Sequence, residues 1–427
     1  MTNGKGTFTN EIDFSDYDKQ KDLTVMENRY DKYKDSGIAW IGEIPEHWEV
    51  RKGKNIFKLR NSKGNSNAIL LAATQKYGMI PQSQIEGVVQ VKQNTNLNTF
   101  KTVHKHDYVI SLRSFQGGFE ISEYEGVCSP AYQVFYSTIP CCNYFFKYLF
   151  KSYGFISQIN AFTLGIREGK NIQYEDFSLM KLPFPVLHEQ QAIADYLDRR
   201  CSEIDDLIAL QEEMITKLQS YKQSVITEAV TRGLDKNVPL KDSGIDWIGK
   251  VPEHWEITLF KRKITINNGK DYKNFSDAEI YPVIGSGGCF AYCSNYMYDG
   301  EALLLGRKGT IDKPLYVKGK FWAVDTMFYA IPHKDLHCKF SYYLALTFPF
   351  NLYSTSTSLP SLTQTDLGNI PVAFPSISEQ QAIADYLDQR CSEIDELIAL
   401  KQQKIEKLKE YKKSLIFECV TGKRKVS

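Results

Sequence analysis

Long hydrophobic runs are missing from this chain of 427 residues: no apolar stretch approaches the ~18 residues needed to cross a bilayer. That argues against a membrane-spanning protein. No C-x-x-C occurs among the nine cysteines, and an odd number without paired spacing fits reduced thiols better than a disulfide framework. The opening segment MTNGKGTFTNEIDFSDYDKQ has neither an apolar core nor an Arg-rich amphipathic pattern, so a cytoplasmic location is expected. Neither sign of charge is in excess, with 52 Lys+Arg against 51 Asp+Glu. What is present is 42% apolar and 13% aromatic residues with 27 Gly and 15 Pro, which excludes disordered and collagen-like chains. At about 150 residues per domain the length predicts two or three domains.

Two internal repeats organise the chain. KDSGIAWIGEIPEHWEV at 34–50 returns as KDSGIDWIGKVPEHWEI at 241–257, with 13 of 17 positions identical. EQQAIADYLDRRCSEIDDLIAL at 189–210 returns as EQQAIADYLDQRCSEIDELIAL at 379–400, with 20 of 22 identical. The stretches between them, 138 residues at 51–188 and 121 residues at 258–378, share only faint correspondences such as DFSLMKLPFP beside DLGNIPVAFP. Two near-invariant frames therefore carry two different inserts, which are expected to share one fold and differ in surface.

The second repeat starts a long helical pattern. Leu197, Ile204, Ile208, Ile215 and Leu218 fall on a 4,3 spacing, and Leu387, Ile394, Ile398, Ile405 and Leu408 repeat it, with Gln211 and Lys401 as polar interruptions. That is a coiled-coil seam. Neither 189–231 nor 379–421 contains Pro or Gly, so each is expected to form one helix of about 64 Å. Such a narrow stripe needs a partner helix, either its copy in the same chain or one in a second chain. Pairing antiparallel within the chain would relate the inserts by a pseudo-two-fold axis.

Dividing the charge by segment restores an asymmetry. Residues 51–188 carry 16 basic and 8 acidic side chains, and 258–378 carry 12 and 9, while both helical segments are acidic. Positive charge in the divergent segments is what sequence-specific DNA readers need, since Lys and Arg neutralise phosphates and other side chains read base edges.

The blocks SGIAWIGEIPEHWEV and EQQAIADYLD, each present twice and alternating with divergent domains, resemble the specificity subunits of type I restriction-modification systems. The resemblance spans about residues 34–421, in order as well as in motif. It implies an α+β fold: two α/β-type target recognition domains separated by an intramolecular antiparallel two-helix coiled coil, with an internal two-fold pseudo-repeat. The corresponding boundaries are an acidic extension at 1–33, expected to be a flexible arm, and a first recognition domain at 34–188. A central spacer helix at 189–231 and a linker at 232–240 lead to a second domain at 241–378, a C-terminal spacer helix at 379–421 and a basic tail at 422–427. It further implies double-stranded DNA as ligand, each domain reading half of a bipartite site. The expected protein partners are two modification subunits and, for cleavage, restriction subunits. S-adenosylmethionine, ATP and Mg²⁺ are expected in those partners, with no catalytic centre and no metal site in this chain.

Candidate DNA contacts lie where an apolar strand runs into a polar turn. In SLRSFQGGFEIS these are Arg113, Ser114 and Gln116, and in LLLGRKGTIDK they are Arg307, Lys308 and Thr310. Arg suits a guanine edge and Gln an adenine edge. A second location precedes the last strand of each insert: Arg167, Lys170 and Asn171, then Ser358, Ser361 and Gln364. NYFFKYLF and FSYYLALT read as buried helices.

Other patterns lack the chemistry they suggest. No DPPY-like or NPPY-like adenine-methylase motif is present. The glycines of IGSGGCF read as a turn, and GIDWIGKV places Val251 where a phosphate loop needs Ser or Thr. Cys289, Cys293, His333 and His337 have loose zinc spacing. Glu168 and Lys170 have no upstream strand Asp to complete a nuclease pair. His47 and His254, repeated beside Trp48 and Trp255, read as a structural corner.

Overall fold

The computed structural model describes residues 28–64, 68–85, 97–112, 114–163, 172–275, 278–354 and 360–426. It divides into two compact units, residues 1–209 with 405–427, and residues 210–404.

In the first unit Tyr33–Asp35 pairs with Glu43–Pro45, enclosing the SGIAWIG loop. Glu49–Lys52 then pairs antiparallel with Lys181–Phe184, so the start and end of the insert are stapled together. Between them runs a four-stranded sheet in the order Phe57–Arg60, Gln133–Ser137, Tyr108–Ile110, Glu120–Ile121. Helix Asn143–Lys151 buries Phe145, Phe146, Tyr148, Leu149 and Phe150 against it. Its rings pack edge to face, as Phe57 and Phe146 do at 5.1 Å and 88°, the geometry that aromatic quadrupoles favour. Much of the first insert's aromatic content is thus core, as the sequence pattern predicts.

The second unit repeats the plan. Leu240–Asp242 pairs with Lys250–Pro252, and Glu256–Leu259 pairs with Pro371–Phe374. Its sheet has six strands, in the order Ile264–Asn268, Met327–Pro332, Tyr298–Gly306, Leu315–Ala323, Tyr281–Gly285, Gly288–Cys293. Helix Cys338–Ala345 packs Phe340, Tyr343 and Leu344 into that core. The two sheets share a three-strand centre in matching register. Phe135 pairs with Leu59 on one side and Tyr108 on the other, as Ala330 pairs with Ile266 and Leu303. Beyond those strands the two sheets differ in strand number and order.

The long helices run Leu187–Arg232 and Ile377–Val420, each starting two residues before the repeated block. In the second unit Lys222 pairs with Asp395 at 2.6 Å and Lys401 reaches the buried Gln211 at 3.3 Å, so the helices run antiparallel there. In the first unit the equivalent ion pair is Asp205 with Lys412, also at 2.6 Å. Leu197, Ile204, Leu387, Ile394 and Ile405 are buried. Ile208, Ile215, Leu218, Ile398 and Leu408 are half-buried, so Ile208 and Ile398, expected to be buried in the seam, are covered only in part. Leu197 and Ile204 belong to the core of the first unit and Leu387 to that of the second, so at these positions the seam is continuous with a domain core.

The described part of the acidic extension is fastened rather than forming a free arm. Lys425 donates its backbone N–H to Asn28 O at 2.6 Å, and the Tyr33 hydroxyl donates to Gly422 O at 3.1 Å. The basic tail folds back similarly, with the Arg424 guanidinium on Glu418 at 3.0 Å.

Candidate nucleic-acid interface

The repeated blocks meet each other, which explains why they repeat. Trp48 is fully buried and its indole N–H donates to Glu189 at 3.1 Å, while His47 contacts the same carboxylate at 2.9 Å. Trp255 and His254 hold Glu379 at 3.1 and 3.0 Å in the same way. Next in sequence, the buried Gln190 accepts from the Cys142 N–H at the start of the insert helix, and Gln380 accepts from the His337 N–H. One turn or more further on, Tyr148 donates to Asp198 at 2.6 Å and Tyr343 to Asp388 at 2.8 Å. Burial and the facing carboxylate push both phenols up. Each insert is therefore locked to its helix at equivalent points, and its remaining surface is free to vary.

In the first unit the predicted segment is anchored beneath its two ends by ion pairs. Asp107, 2% exposed, receives a bidentate fork from Arg60 at 2.6 and 2.8 Å. Glu120, also 2% exposed, pairs with Lys151 at 2.6 Å. Burial pushes the Glu120 carboxyl up and the Lys151 ammonium down, each against the attraction of the other. Removing one partner would leave a buried charge, so the pair holds the segment in one place. Between the anchors lies a single helical turn, Ser114–Gly117, in place of the expected polar turn. Gln116 is exposed on it. Ser114 is not: it is 1% exposed and its hydroxyl accepts the Ser111 N–H at 2.8 Å, so, contrary to the expectation of a DNA contact, it is turned inward and closes the turn. Arg113, Arg167, Lys170, Asn171 and Ser358 lie outside the described residues, as does Glu168.

In the second unit the two predicted locations come together. Lys308 bridges Ser361, the Gly309 N–H donates to Pro360 O at 2.9 Å, and the Leu362 N–H donates to Arg307 O at 3.0 Å. Gly306 permits the tight bend, since a Cβ there would stand 2.3 Å from Thr310 O. Lys308 and Thr310 are exposed and Arg307 is half-buried, its guanidinium donating to Asp325 O at 3.4 Å. By strand register Leu303 stands where Tyr108 does, each paired to the middle strand of the shared three-strand centre. Gln364 is a structural strap, half-buried with its amide on Ile266 O at 3.0 Å. The sequence carried no signal for the buried pairs or for this joining of loops, which depend on strand register.

The zinc reading fails on geometry. Cys293 donates its thiol to Asn295 O, the His337 ring caps its own helix, and His333 contacts Thr265 and Arg262 O. Among the described residues no group of three or more His, Cys, Asp or Glu could hold a metal ion. GIDWIGKV leads into the strand Lys250–Pro252 rather than a helix, so no phosphate cradle forms.

The profile of the type I restriction modification DNA specificity domain matches this chain twice, over residues 45–219 and 253–410. The chain belongs to that family. DNA target specificity within a type I restriction-modification system is the function that this membership carries. Among named relatives, the MjaX type I restriction enzyme specificity subunit of Methanocaldococcus jannaschii is 25% identical over 90% of this chain and 96% of its own length. The MjaVIII specificity subunit of the same organism is 26% identical over 61% of this chain and 66% of its own. A chain from a solved structure of type I R-M system assembly has the same fold, with a TM-score of 0.70 at 13% identity, covering 88% of this chain and 98% of that one. The HsdS subunit from Thermoanaerobacter tengcongensis superimposes with a TM-score of 0.54 at 14% identity, covering 89% and 98%.

Proposed function

We propose that the chain reads a bipartite double-stranded DNA target, one insert per half-site, and directs adenine methylation by two modification subunits and cleavage by restriction subunits. The reading is carried by one observation: the two inserts hang on equivalent hydrogen bonds and share a three-strand centre, yet one sheet has four strands and the other six. A frame that repeats while its cargo diverges suits a protein that must present two unlike reading surfaces from one assembly. The surplus of Lys and Arg in the inserts supports phosphate contact.

On this reading the chain performs neither reaction. S-adenosylmethionine, ATP and Mg²⁺ belong to the partner subunits, and the chain works in the cytoplasm beside the genome. No helix among the described residues is long and apolar enough to cross a membrane. The test is an exchange of residues 51–188 for the corresponding insert of a relative, followed by sequencing of methylated sites in the host. One half-site should change and the other persist. A change in both, or methyl transfer by the purified chain alone, would refute the reading.

A further inference from the structure

The glycine cluster at 285–288 closes a hairpin that has a counterpart in the first unit. Leu71–Thr74 pairs with Gly78–Pro81 and leaves Gln75, Lys76 and Tyr77 as its tip. Tyr281–Gly285 pairs with Gly288–Cys293, closing around Ser286 and Gly287. Both hairpins follow the first sheet strand of their insert. Both return through a glycine of left-handed φ, Gly78 at 71° and Gly288 at 98°. A side chain at Gly78 would also stand 2.5 Å from Ile121 O, so the bend requires glycine there. A glycine of positive φ is kept in both turns while the tips differ in length and in residues, the pattern expected of elements that read different sequences.

The first tip lies against the loop that carries the candidate contacts, and the second faces the residues that hold the loop of its own unit. The Gln75 side chain packs on Gly117, where a Cβ would meet it at 3.0 Å, beside the exposed Gln116. In the second unit the tip glycines, Ser286 and Phe290 line an open cavity of about 560 Å³ together with Asp325 and Thr326. Those two residues accept hydrogen bonds from Arg307, at 3.4 Å from its guanidinium and 2.9 Å from its backbone N–H. Both hairpins hold large rings out of the core: Tyr77 is 63% exposed and Phe290 60%.

We propose that the two hairpins are sequence-reading elements, Gln75, Lys76 and Tyr77 of the first tip contacting the half-site read by the first domain, and Ser286 of the second tip with Phe290 on its return strand contacting the half-site read by the second. This rests on the bipartite reading above. A Gln amide matches the adenine N6 and N7 edge, a Ser hydroxyl serves as donor or acceptor, and an aromatic ring packs on a thymine methyl. Lys76 supplies a phosphate contact. The side-chain-free glycines beside Ser286 allow the backbone to approach closely.

The test uses the full chain assembled with modification subunits and a random double-stranded DNA library. The wild-type complex defines the selected motif. The double variant Gln75→Ala, Tyr77→Ala should relax base positions in one half-site only and weaken binding about tenfold or more. The pair Ser286→Ala, Phe290→Ala should do the same in the other half-site. If the alanine variant of the first tip unfolds, Gln75→Glu preserves the shape and sets a carboxylate against DNA, with the same expected loss in the same half-site. Retention of motif and affinity overturns the inference. So does a change in both half-sites, or a defect confined to subunit assembly. A wild-type complex that selects no sequence would instead overthrow the bipartite reading on which the inference stands.

Discussion

At the residue scale, the tightest determinants are the Trp–Glu clamps, because each ties a fully buried indole to one carboxylate. Glu189→Ala leaves the Trp48 N–H without its acceptor and should cost about 1–3 kcal/mol in urea unfolding, with Glu189→Gln recovering most of it. Glu379→Ala should cost a similar amount through Trp255. Thiol chemistry offers a second check. Burial pushes the Cys128, Cys338 and Cys419 thiols up to about 12, and Cys289 is the exposed cysteine. Iodoacetamide at neutral pH should therefore alkylate Cys289 first in the native chain, as read by peptide mass spectrometry. For DNA binding, Lys308→Ala should weaken all sequences about equally and lower the salt slope by about 1, the signature of a lost phosphate contact. The histidine corner was legible from repetition alone. Residue roles in the inserts were less so: Ser114 and Gln116 look alike in sequence as polar turn residues, and only packing turns one inward.

At the scale of elements, periodicity located the long helices because a heptad is a local property that any partner surface must obey. It did not tell which seam positions are covered. Ile405 is 1% exposed whereas Ile208 is half-buried, so Ile405→Glu should cost several kcal/mol and clearly more than Ile208→Glu. Denaturant midpoints of the two variants measure the difference. If Ile208→Glu were the more damaging, burial would not be what the seam contributes. The paired strands at the base of each insert were half legible: DFSLMKLPFP and DLGNIPVAFP were recognisable as related, but their antiparallel partners Glu49–Lys52 and Glu256–Leu259 lie more than a hundred residues away.

At the scale of the molecule, the first unit is discontinuous in sequence. Leu415, Cys419 and Val420 belong to the same core as Trp48, Phe145 and Leu197. Ending the chain after Lys404 should therefore unfold the first unit while residues 210–404 stay protected, with hydrogen exchange as the measurement. Equal loss of protection in both units would refute that division. The amino-acid sequence by itself determined the duplication, the two frames, the two helices and the family, since identity between copies and a 3.5-residue period are written along the chain. Tertiary structure alone decided which insert residues stand side by side. Lys308 meets Ser361, and the 285–288 tip adjoins the turn that holds Arg307, because strands distant in sequence pair in one register. Register follows from the hydrophobic pattern and turn geometry of strands acting together, so which distant residues meet is decided only when whole strand faces are buried in the assembled sheet.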